Sequence, residues 1–526
     1  MIKALLRPVL LVGLGLAIAR AAGPAFPFAE ATIDDLQARM AAGTLTAREL
    51  TAAYLRRIAE VDQAGPKLKA VLEVNPDALA IAEKLDAERK AGTVRGPLHG
   101  IPILIKDNIA TADGMETTAG SLALVGARPL HDAPLVARLR DAGAVILGKA
   151  NLSEWANFRG SGSISGWSAR GGQTLNPYAL DRNPSGSSTG SAVAVAANLC
   201  VAAIGTETVG SIVSPASQNG VVGVKPTVGL VSRTGIIPIA ATFDTAGPMT
   251  RTVRDAAIVL GALAGADPRD PATQGRPAEL PVDFAAALRP GALKGARIGV
   301  LHGPFDFRPS LEGVLAAALE KLRAAGAVTI EAGEFPGLAA TSGARIEVML
   351  YEMKDGLNAY LATLGPGAAM KSLADLVRFN ETHAEQELPL FGQQHFTRAQ
   401  AKGPLTETAY LDARAKCLRL MRTEGIDALM DRHRLDALIA ITNAPAGLPD
   451  PVFGGLSTAG GSAAPAAVAG YPSVTVPAAQ MSGLPVGLSF FGRAWSEARL
   501  LALAADFEAR TPARRVPKFL PSAVLR

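Results

Sequence analysis

The chain has 526 residues, of which 48% are hydrophobic and 19% are charged. This composition excludes a disordered protein and is typical of a packed globular enzyme, with room for one large domain or two to three ordinary ones. The formal net charge of +5 is small for this length, so a nucleic acid is not an expected partner.

Residues 1–21 have the pattern of a secretory signal peptide. Lys3 and Arg7 form a basic start, an apolar run extends from Val9 to Ala19, and a small-x-small site ends at Ala21. The run is short for a membrane span, although an uncleaved anchor is the alternative. Cleavage would remove three basic and no acidic side chains, which lowers the net charge from +5 to +2. We expect an exported protein, periplasmic or secreted, without stable membrane insertion after cleavage.

The cysteines and histidines do not indicate a metal site. Cys200 and Cys417 are the two cysteines, and Cys200 lies in an apolar run typical of a buried helix. The six histidines form no His-Glu-x-x-His pair and have no zinc-type spacing with cysteine. We therefore expect neither a metal nor another cofactor.

The first 150 residues alternate between helical and strand patterns. Apolar residues recur at three- and four-residue steps from Ala31 to about Asp62, and a second helix fits Pro76–Ala91. A short apolar strand at Ile101–Lys106 is followed by a helix at Leu135–Ala142 and another strand at Ala144–Leu147. This alternation predicts an α/β protein with a largely parallel sheet that is covered on both faces.

Residues 160–191 interrupt the alternation with a long loop rich in Gly, Ser, Asn and Pro. The loop leads into a predicted apolar helix at Ala192–Ala203, and a second glycine- and serine-containing turn follows at Thr206–Ser211. Long polar loops inside compact domains are more often functional than idle.

One short pattern in this loop, Gly186–Gly190, fits the Gly-x-Ser-x-Gly nucleophile elbow of α/β-hydrolases. That elbow needs a strand immediately before it and a histidine later in the chain. Tyr178–Ser185 has no strand pattern, and the last histidine, His433, lies in a charged stretch. A Ser-x-x-Lys motif of the penicillin-binding type is also absent from the sequence. A conventional serine hydrolase site is therefore not indicated.

Lys106 is a candidate general base because it ends an apolar strand. Apolar surroundings shift a lysine toward its neutral, basic form. Because side chains alternate along a strand, Asp107 is expected to point away from the side that Lys106 faces. An interior lysine at a strand end is also typical of a salt-bridged structural residue, and the residues alone leave both interpretations open.

Ordered motifs between residues 176 and 248 resemble those of the amidase signature family. The similar segments, with their counterparts upstream and downstream, are Gly100–Asn108, Leu147–Glu154, Pro184–Ala192, Gly205–Ile212, Asn219–Leu230, Val231–Gly235, Asp244–Pro248, Ala469–Pro477 and Gly483–Leu488. Within the family the chain is most similar to bacterial peptide amidases, which remove the C-terminal amide of peptides; Trp155–Arg159 and Ser165–Gln173 carry this likeness.

The resemblance implies the amidase signature fold, an α/β/α arrangement with a large mixed, mostly parallel twisted sheet. It implies a single amidase domain over residues 22–526. Within it we expect a core signature at about 100–260, a helical elaboration at about 265–435 and returning core strands and helices at about 436–505.

The resemblance also implies the catalytic residues. Ser211 matches the nucleophile, Ser187 matches a bridging serine that follows a cis peptide bond (Gly186–Ser187), and Lys106 matches the general base. Neutral Lys106 would take a proton from Ser187, which takes one from Ser211 as that oxygen attacks the amide carbon. The relay then reverses to protonate the departing ammonia or amine, and water releases the acid.

The turn before Ser211 resembles the family's oxyanion hole, built from the backbone amides of Thr208, Val209 and Gly210. Val209 stands where the family has glycine or, in peptide amidases, aspartate. A β-branched residue is strained there if the backbone needs a positive φ, and an aspartate contact to substrate would be missing. Val213 stands where many members of the family have arginine. This difference and the predicted signal peptide both argue against the chain being the catalytic component of a tRNA-linked amidotransferase.

The function implied by these residues is hydrolysis of linear carboxamides through an acyl-enzyme, with peptide C-terminal amides as the expected substrates. The alternatives are a general aliphatic or aryl amidase and a catalytically impaired amide-binding protein. The expected partners are therefore a small-molecule or peptide amide and no nucleic acid, and the expected state is a monomer or a homodimer.

Overall fold

The computed structural model describes residues 26–302, 309–450 and 461–524. The predicted signal peptide lies outside these residues. Among them, no helix is both long enough and apolar enough to cross a membrane.

The described residues form thirteen β-strands and sixteen α-helices. The strands are β1 (Val71–Val74), β2 (Pro102–Lys106), β3 (Val145–Ala150), β4 (Trp167–Ser168), β5 (Gly172–Gln173), β6 (Ala202–Glu207), β7 (Val222–Lys225), β8 (Thr245–Thr250), β9 (Arg297–Leu301), β10 (Val328–Gly333), β11 (Ala437–Ile441), β12 (Ser473–Met481) and β13 (Leu484–Phe491). The α-helices are α1 (Ile33–Ala41), α2 (Ala47–Arg57), α3 (Ala78–Lys90), α4 (Pro134–Asp141), α5 (Thr189–Ala196), α6 (Val213–Gln218), α7 (Val253–Leu263), α8 (Pro309–Ala324), α9 (Ser342–Ala362), α10 (Leu373–Thr382), α11 (Ala384–Glu387), α12 (Gln394–Gln400), α13 (Thr408–Leu418), α14 (Ala428–His433), α15 (Ala463–Ala469) and α16 (Glu497–Arg510).

Eleven of the described strands form one sheet in the order β1-β3-β2-β6-β8-β7-β12-β13-β11-β9-β10. The predicted α/β architecture with a large mixed sheet is confirmed. The expectation that most strand pairs are parallel is wrong, because only β2–β3, β2–β6, β9–β10 and β9–β11 are parallel. The remaining neighbours are antiparallel, including the hairpin of β12 and β13. Such a hairpin needs only a short turn, whereas the strand–helix alternation of the first 150 residues is typical of parallel crossovers.

Both faces of the sheet are covered by hydrophobic clusters. On β11, Ile439 belongs to one cluster and its neighbour Leu438 to the other, and Phe490 and Phe491 divide in the same way on β13. Successive side chains of a strand point to opposite faces, so the two clusters lie on opposite sides of the sheet. Both clusters also contain residues of helices, so the sheet has helices on both faces, as predicted.

Two predicted helices have different bounds in the structure. The first helical pattern is divided into α1 and α2, each of which begins with a capping box, at Thr32 and Thr46. The apolar run predicted as one helix over Ala192–Ala203 instead contains the end of α5 and the start of β6, with Asn198 at a φ of +59° between them. A fully buried apolar run has no periodicity that separates a helix from a strand.

A buried ion cluster joins the long insertion between β8 and β11 to the rest of the chain. The Arg159 guanidinium contacts the carboxylates of Glu154 and Glu387, and all three side chains are inaccessible to solvent. Glu387 lies at the end of α11 and also accepts hydrogen bonds from the Ser121 hydroxyl and the Leu122 N–H. Two carboxylates share one guanidinium, and burial together with the nearby Glu387 raises the pKa of Glu154 well above its usual range. The contacts of Arg159 and Ser121 with Glu387 join the insertion to the loop that carries Glu154.

Candidate active site

Lys106 is the last residue of β2, a strand buried along its whole length between β3 and β6. Its Nζ lies 2.8 Å from Ser187 Oγ, 2.8 Å from Thr206 Oγ1 and 3.3 Å from the Thr206 carbonyl oxygen. Desolvation lowers the pKa of Lys106 to about 7, although the negative charges of Asp244 and Glu207 act in the opposite direction. A substantial fraction of this amine is therefore neutral near pH 7 and can accept a proton.

Ser187 lies in the loop before α5, and the peptide bond between Gly186 and Ser187 is cis. The Ser187 side chain is fully buried, and its carbonyl oxygen accepts a hydrogen bond from the Ser153 N–H at 3.1 Å. A Cβ atom at Gly186 would collide with the Ser153 hydroxyl, so the close approach of these two loops requires glycine. The loop thus holds the Ser187 hydroxyl against Lys106.

Ser211 follows the turn at the end of β6 and is half-buried, whereas Ser187 is fully buried. The two serine loops are joined by a hydrogen bond of 3.1 Å from the Ser188 N–H to the Ser211 carbonyl oxygen. The Ser211 hydroxyl makes no hydrogen bond to another described residue. The structure therefore places Lys106 and Ser187 in direct contact and joins the Ser211 backbone to the same loop, whereas no hydrogen bond links the Ser187 and Ser211 hydroxyls.

The turn Thr208–Gly210 is held from both ends by carboxylates. The Thr208 hydroxyl donates to Asp244 at 2.5 Å. One oxygen of Glu207 accepts from the N–H groups of Ile212 and Val213 at 2.7 and 3.0 Å, after the turn. The N–H groups of Thr208, Val209 and Gly210 donate to no backbone carbonyl of the described residues, as an oxyanion hole requires.

Positive φ in this turn occurs at Gly210, at +90°, and not at Val209. The possible strain of a valine is therefore not present, because the position that needs a left-handed backbone is occupied by glycine. The Val209 side chain is partly buried and packs against the hydrophobic cluster that contains α9 and α13.

The sequence analysis did not single out three residues of the site, although they lie inside the motifs that resemble the family. These residues are Asn108, Thr206 and Asp244. Thr206 bridges Lys106 and Asn108, because its Oγ1 also lies 3.1 Å from the Asn108 amide nitrogen. Asp244 accepts from the N–H groups of Ile239 and Ala240 as well as from Thr208, and burial raises its pKa to about 6. Their position within the motifs was the signal that could have identified them.

A small, mostly apolar pocket adjoins this group of residues. Its lining includes Asn108, Trp155, Ala156, Ile237, Pro238 and Ile239. Asn108 is shared with the hydrogen-bond network of Lys106, so the pocket opens next to the reacting groups. Trp155 and Ala156 both have a positive φ. An apolar lining therefore lies beside a buried base and a partly accessible serine.

Metal-ligating residues are not grouped in the described ranges, where no three His, Cys, Asp or Glu side chains could hold an ion together. Cys200 and Cys417 are both buried and unpaired with each other.

Comparison with known proteins identifies the family. The sequence model described as Amidase matches residues 49–501. The chain belongs to the amidase family. The native peptide amidase from Stenotrophomonas maltophilia is 55% identical to it, with a TM-score of 0.90, over 94% of this chain and 99% of that one. This amidase is therefore a hydrolase that acts on amides.

Two further relatives show the breadth of the family around this amidase. A probable amidase of Arabidopsis thaliana is 42% identical over 94% of this chain and 93% of its own length. A glutamyl-tRNA(Gln) amidotransferase component of Chloroflexus aurantiacus is 37% identical over 91% of this chain and 96% of its own length. Sequence likeness thus extends beyond proteins that are described as amidases.

Proposed function

We propose that this amidase cleaves linear carboxamides through an acyl-enzyme on Ser211, with Ser187 as the bridging serine and Lys106 as the general base. The observation that carries the proposal is the 2.8 Å contact between Lys106 Nζ and Ser187 Oγ in a buried site. The lowered pKa of Lys106, about 7, supports its role as a base in the neutral form.

In the proposed reaction, Ser211 Oγ attacks the carbonyl carbon of the amide while its proton passes to Ser187 and the Ser187 proton passes to Lys106. The negative oxygen of the tetrahedral intermediate would accept hydrogen bonds from backbone N–H groups among those of Thr208, Val209 and Gly210. Each such donor contributes roughly 3–4 kcal/mol to transition-state stabilisation in acyl transfer. When the C–N bond breaks, the protons return and the nitrogen leaves as ammonia or an amine. Water then attacks the ester by the same relay, and the free acid and Ser211 are regenerated.

Peptide C-terminal amides are the proposed substrates. The 55% identity with the Stenotrophomonas maltophilia peptide amidase supports this choice, as does the apolar lining beside the reacting groups. A general aliphatic or aryl amidase is the second candidate, which the same apolar lining favours. Val213, which stands where many members have arginine, weighs against a component of a tRNA-linked amidotransferase.

We expect Ser211→Ala to reduce amide hydrolysis by at least about 10³-fold, because no other group can form the acyl-enzyme. The assay is ammonia release from amidated peptides, from free-acid peptides with side-chain amides, and from simple aryl and aliphatic amides. Ser161→Ala, which removes an exposed serine hydroxyl, is the matched control and should keep wild-type rates.

The same variants test the covalent step with a fluorophosphonate probe that reacts with activated serines. Wild-type protein and Ser161→Ala should be labelled, and Ser211→Ala should not. Persistent hydrolysis by pure Ser211→Ala would remove Ser211 from the mechanism. Folded wild-type protein that neither hydrolyses amides nor is labelled would favour an amide-binding protein.

The proposed site of action is outside the cytoplasm, because residues 1–21 have the pattern of a signal peptide. Fractionation of cells that express the full chain should place the protein in the periplasm or medium. Sequencing its N-terminus should show a start near residue 22. Full-length protein confined to the cytoplasm would contradict the export proposal and leave the chemistry untouched.

A further inference from the structure

One wall of the active-site pocket is built by the segment that precedes β8. Ile237, Pro238 and Ile239 line the pocket. The backbone of Ile237 is paired with Asn108, since its N–H donates to the Asn108 carbonyl oxygen at 2.8 Å. Farther along, Asp244 holds the same segment to Thr208 of the turn that precedes Ser211. The segment from Ile237 to Asp244, called the wall segment below, therefore contacts both the pocket and the reacting groups.

The outer side of the wall segment is held by helix α9 of the insertion. Glu352 is buried, with 4% of its surface exposed, and its carboxylate accepts hydrogen bonds from both the N–H (2.8 Å) and the hydroxyl of Thr242. Tyr410 of α13 donates to the same carboxylate at 2.6 Å. A buried carboxylate that receives three donors is a rigid anchor, because loss of its charge would leave those donors poorly paired.

One turn farther along α9, Gly356 packs directly against Pro238. A Cβ atom at Gly356 would lie 3.4 Å from Pro238 Cβ and 3.1 Å from Pro238 Cγ, and the second distance is closer than ordinary van der Waals contact. Pro238 thus lies between the helix and the pocket. Residues four apart share one face of a helix, so Glu352 and Gly356 act on the wall segment together.

We propose that Glu352 and Gly356 are specificity-determining positioning residues, which set the width of the substrate pocket through Thr242 and Pro238. Neither residue touches the reacting groups. Glu352 prevents the wall segment from moving away from the pocket, and the missing side chain at Gly356 gives Pro238 room to stay back from it. The inference rests on the proposed function, since it assumes that the pocket beside Asn108 receives the side chain of the amide substrate.

The test measures kcat/KM for peptide amides whose C-terminal residue is either small (glycine or alanine) or bulky (leucine or phenylalanine). Gly356→Ala pushes Pro238 toward the pocket and should lower the bulky-to-small ratio of kcat/KM by about 10-fold, the usual effect of one methylene-sized change in an apolar pocket. Gly343→Ala is the matched control, because Gly343 lies on the same helix and a Cβ there would meet nothing within 4 Å.

A second variant tests the anchor in the opposite direction. Glu352→Gln keeps the size of the side chain but places an amide N–H₂ group among three donors, so the wall segment should loosen. We expect the bulky-to-small ratio to rise by a few fold, with the change mainly in KM. Asp355→Asn, an exposed carboxylate on the same helix, is its control and should leave the ratio unchanged.

Each outcome separates the two proposals. Active wild-type enzyme together with an unchanged ratio in both folded variants would overturn the role of α9 and leave the proposed function intact. Wild-type protein that hydrolyses none of the amides would overturn both. Equal changes in Gly356→Ala and Gly343→Ala would show an effect of helix stability and would also overturn the positioning role.

Discussion

Lys106 and Lys149 are two fully buried lysines on neighbouring parallel strands, and they have different surroundings. In the register of β2 and β3, Lys149 pairs with Ile105, and Lys106 pairs with Ala150. Paired residues of neighbouring strands point to the same face, so Lys106 and Lys149 point to opposite faces of the sheet. Burial lowers the pKa of both, to about 7 for Lys106 and about 8 for Lys149.

The partners of the two amines, more than their burial, separate a base from a structural cation. Lys149 Nζ donates to the Ile109 carbonyl oxygen at 2.6 Å and to Thr117 Oγ1 at 2.8 Å, and the charge of Asp107 favours its protonated form. Lys106 instead contacts Ser187. The next residue, Ser188, donates a backbone hydrogen bond to the Ser211 carbonyl oxygen. A lowered lysine pKa therefore indicates a base only where a hydroxyl beside it can pass a proton onward.

The largest expected effect is on the base itself. Lys106→Arg should lower kcat by at least about 10³-fold, because a guanidinium stays charged and cannot accept the Ser187 proton. The measurement is single-turnover ammonia release, with circular dichroism to show that the variant is folded. Wild-type-like rates in Lys106→Arg would remove this lysine from the mechanism and erase its difference from Lys149.

The pH dependence gives the next largest effect. Only the neutral form of Lys106 accepts a proton, so kcat/KM should reach a plateau above about pH 7 and fall about tenfold per unit below it. Lys149→Met should leave the midpoint in place, since that amine lies on the other face of the sheet. A midpoint that moves in Lys149→Met would mean that the two lysines titrate together.

Lys149→Met should affect stability more than catalysis. The substitution leaves the Ile109 carbonyl oxygen with only the longer bond from the Thr117 hydroxyl, at 3.4 Å, and removes a cation from beside the buried Asp107. We expect the free energy of unfolding to fall by about 1–3 kcal/mol. The kcat per folded molecule should stay within a few fold of wild type. Denaturant unfolding and active-site titration together measure both quantities, and a loss of kcat as large as that of Lys106→Arg would contradict the comparison.

The smallest effect is expected for Asp107, the residue next to the base. Its carboxylate receives the Thr118 hydroxyl and lies near Arg170 and Lys149, away from the Lys106 network. Asp107→Asn keeps the shape and one acceptor, so most of the amide hydrolysis should remain. The check is the steady-state rate of amide hydrolysis by Asp107→Asn, measured beside that of Lys106→Arg. A loss of activity as large as that of Lys106→Arg would place Asp107 in the proton relay.

The pattern of the sequence predicted those parts of the site that lie in regular structure. The strand that ends at Lys106 and the divergence of Asp107 from it both follow from alternation along β2, and the structure agrees. Ser187 and Ser211 lie in turns without periodicity, so only resemblance to known amidases could single them out. Their catalytic roles remain predictions.

Long-range pairings explain most of what the pattern did not predict. Glu352 and Thr242 are separated by 110 positions, and no local signal connects a helix of the insertion to the wall segment. The direction of β8, which runs against both β6 and β7, depends in the same way on which strands lie beside it. Local periodicity predicts an element and its buried face, but it does not specify the partner.

The ion cluster of Glu154, Arg159 and Glu387 has a consequence for how the molecule unfolds. If the insertion detached while the rest of the chain stayed folded, the Arg159 guanidinium would keep Glu154 but lose its contacts with Glu387 and with the Phe391 carbonyl oxygen. Each buried polar group that is left unpaired in this way costs about 1–3 kcal/mol. Partial opening is therefore unfavourable, and the insertion and the catalytic core should melt as one cooperative unit despite the length of the chain.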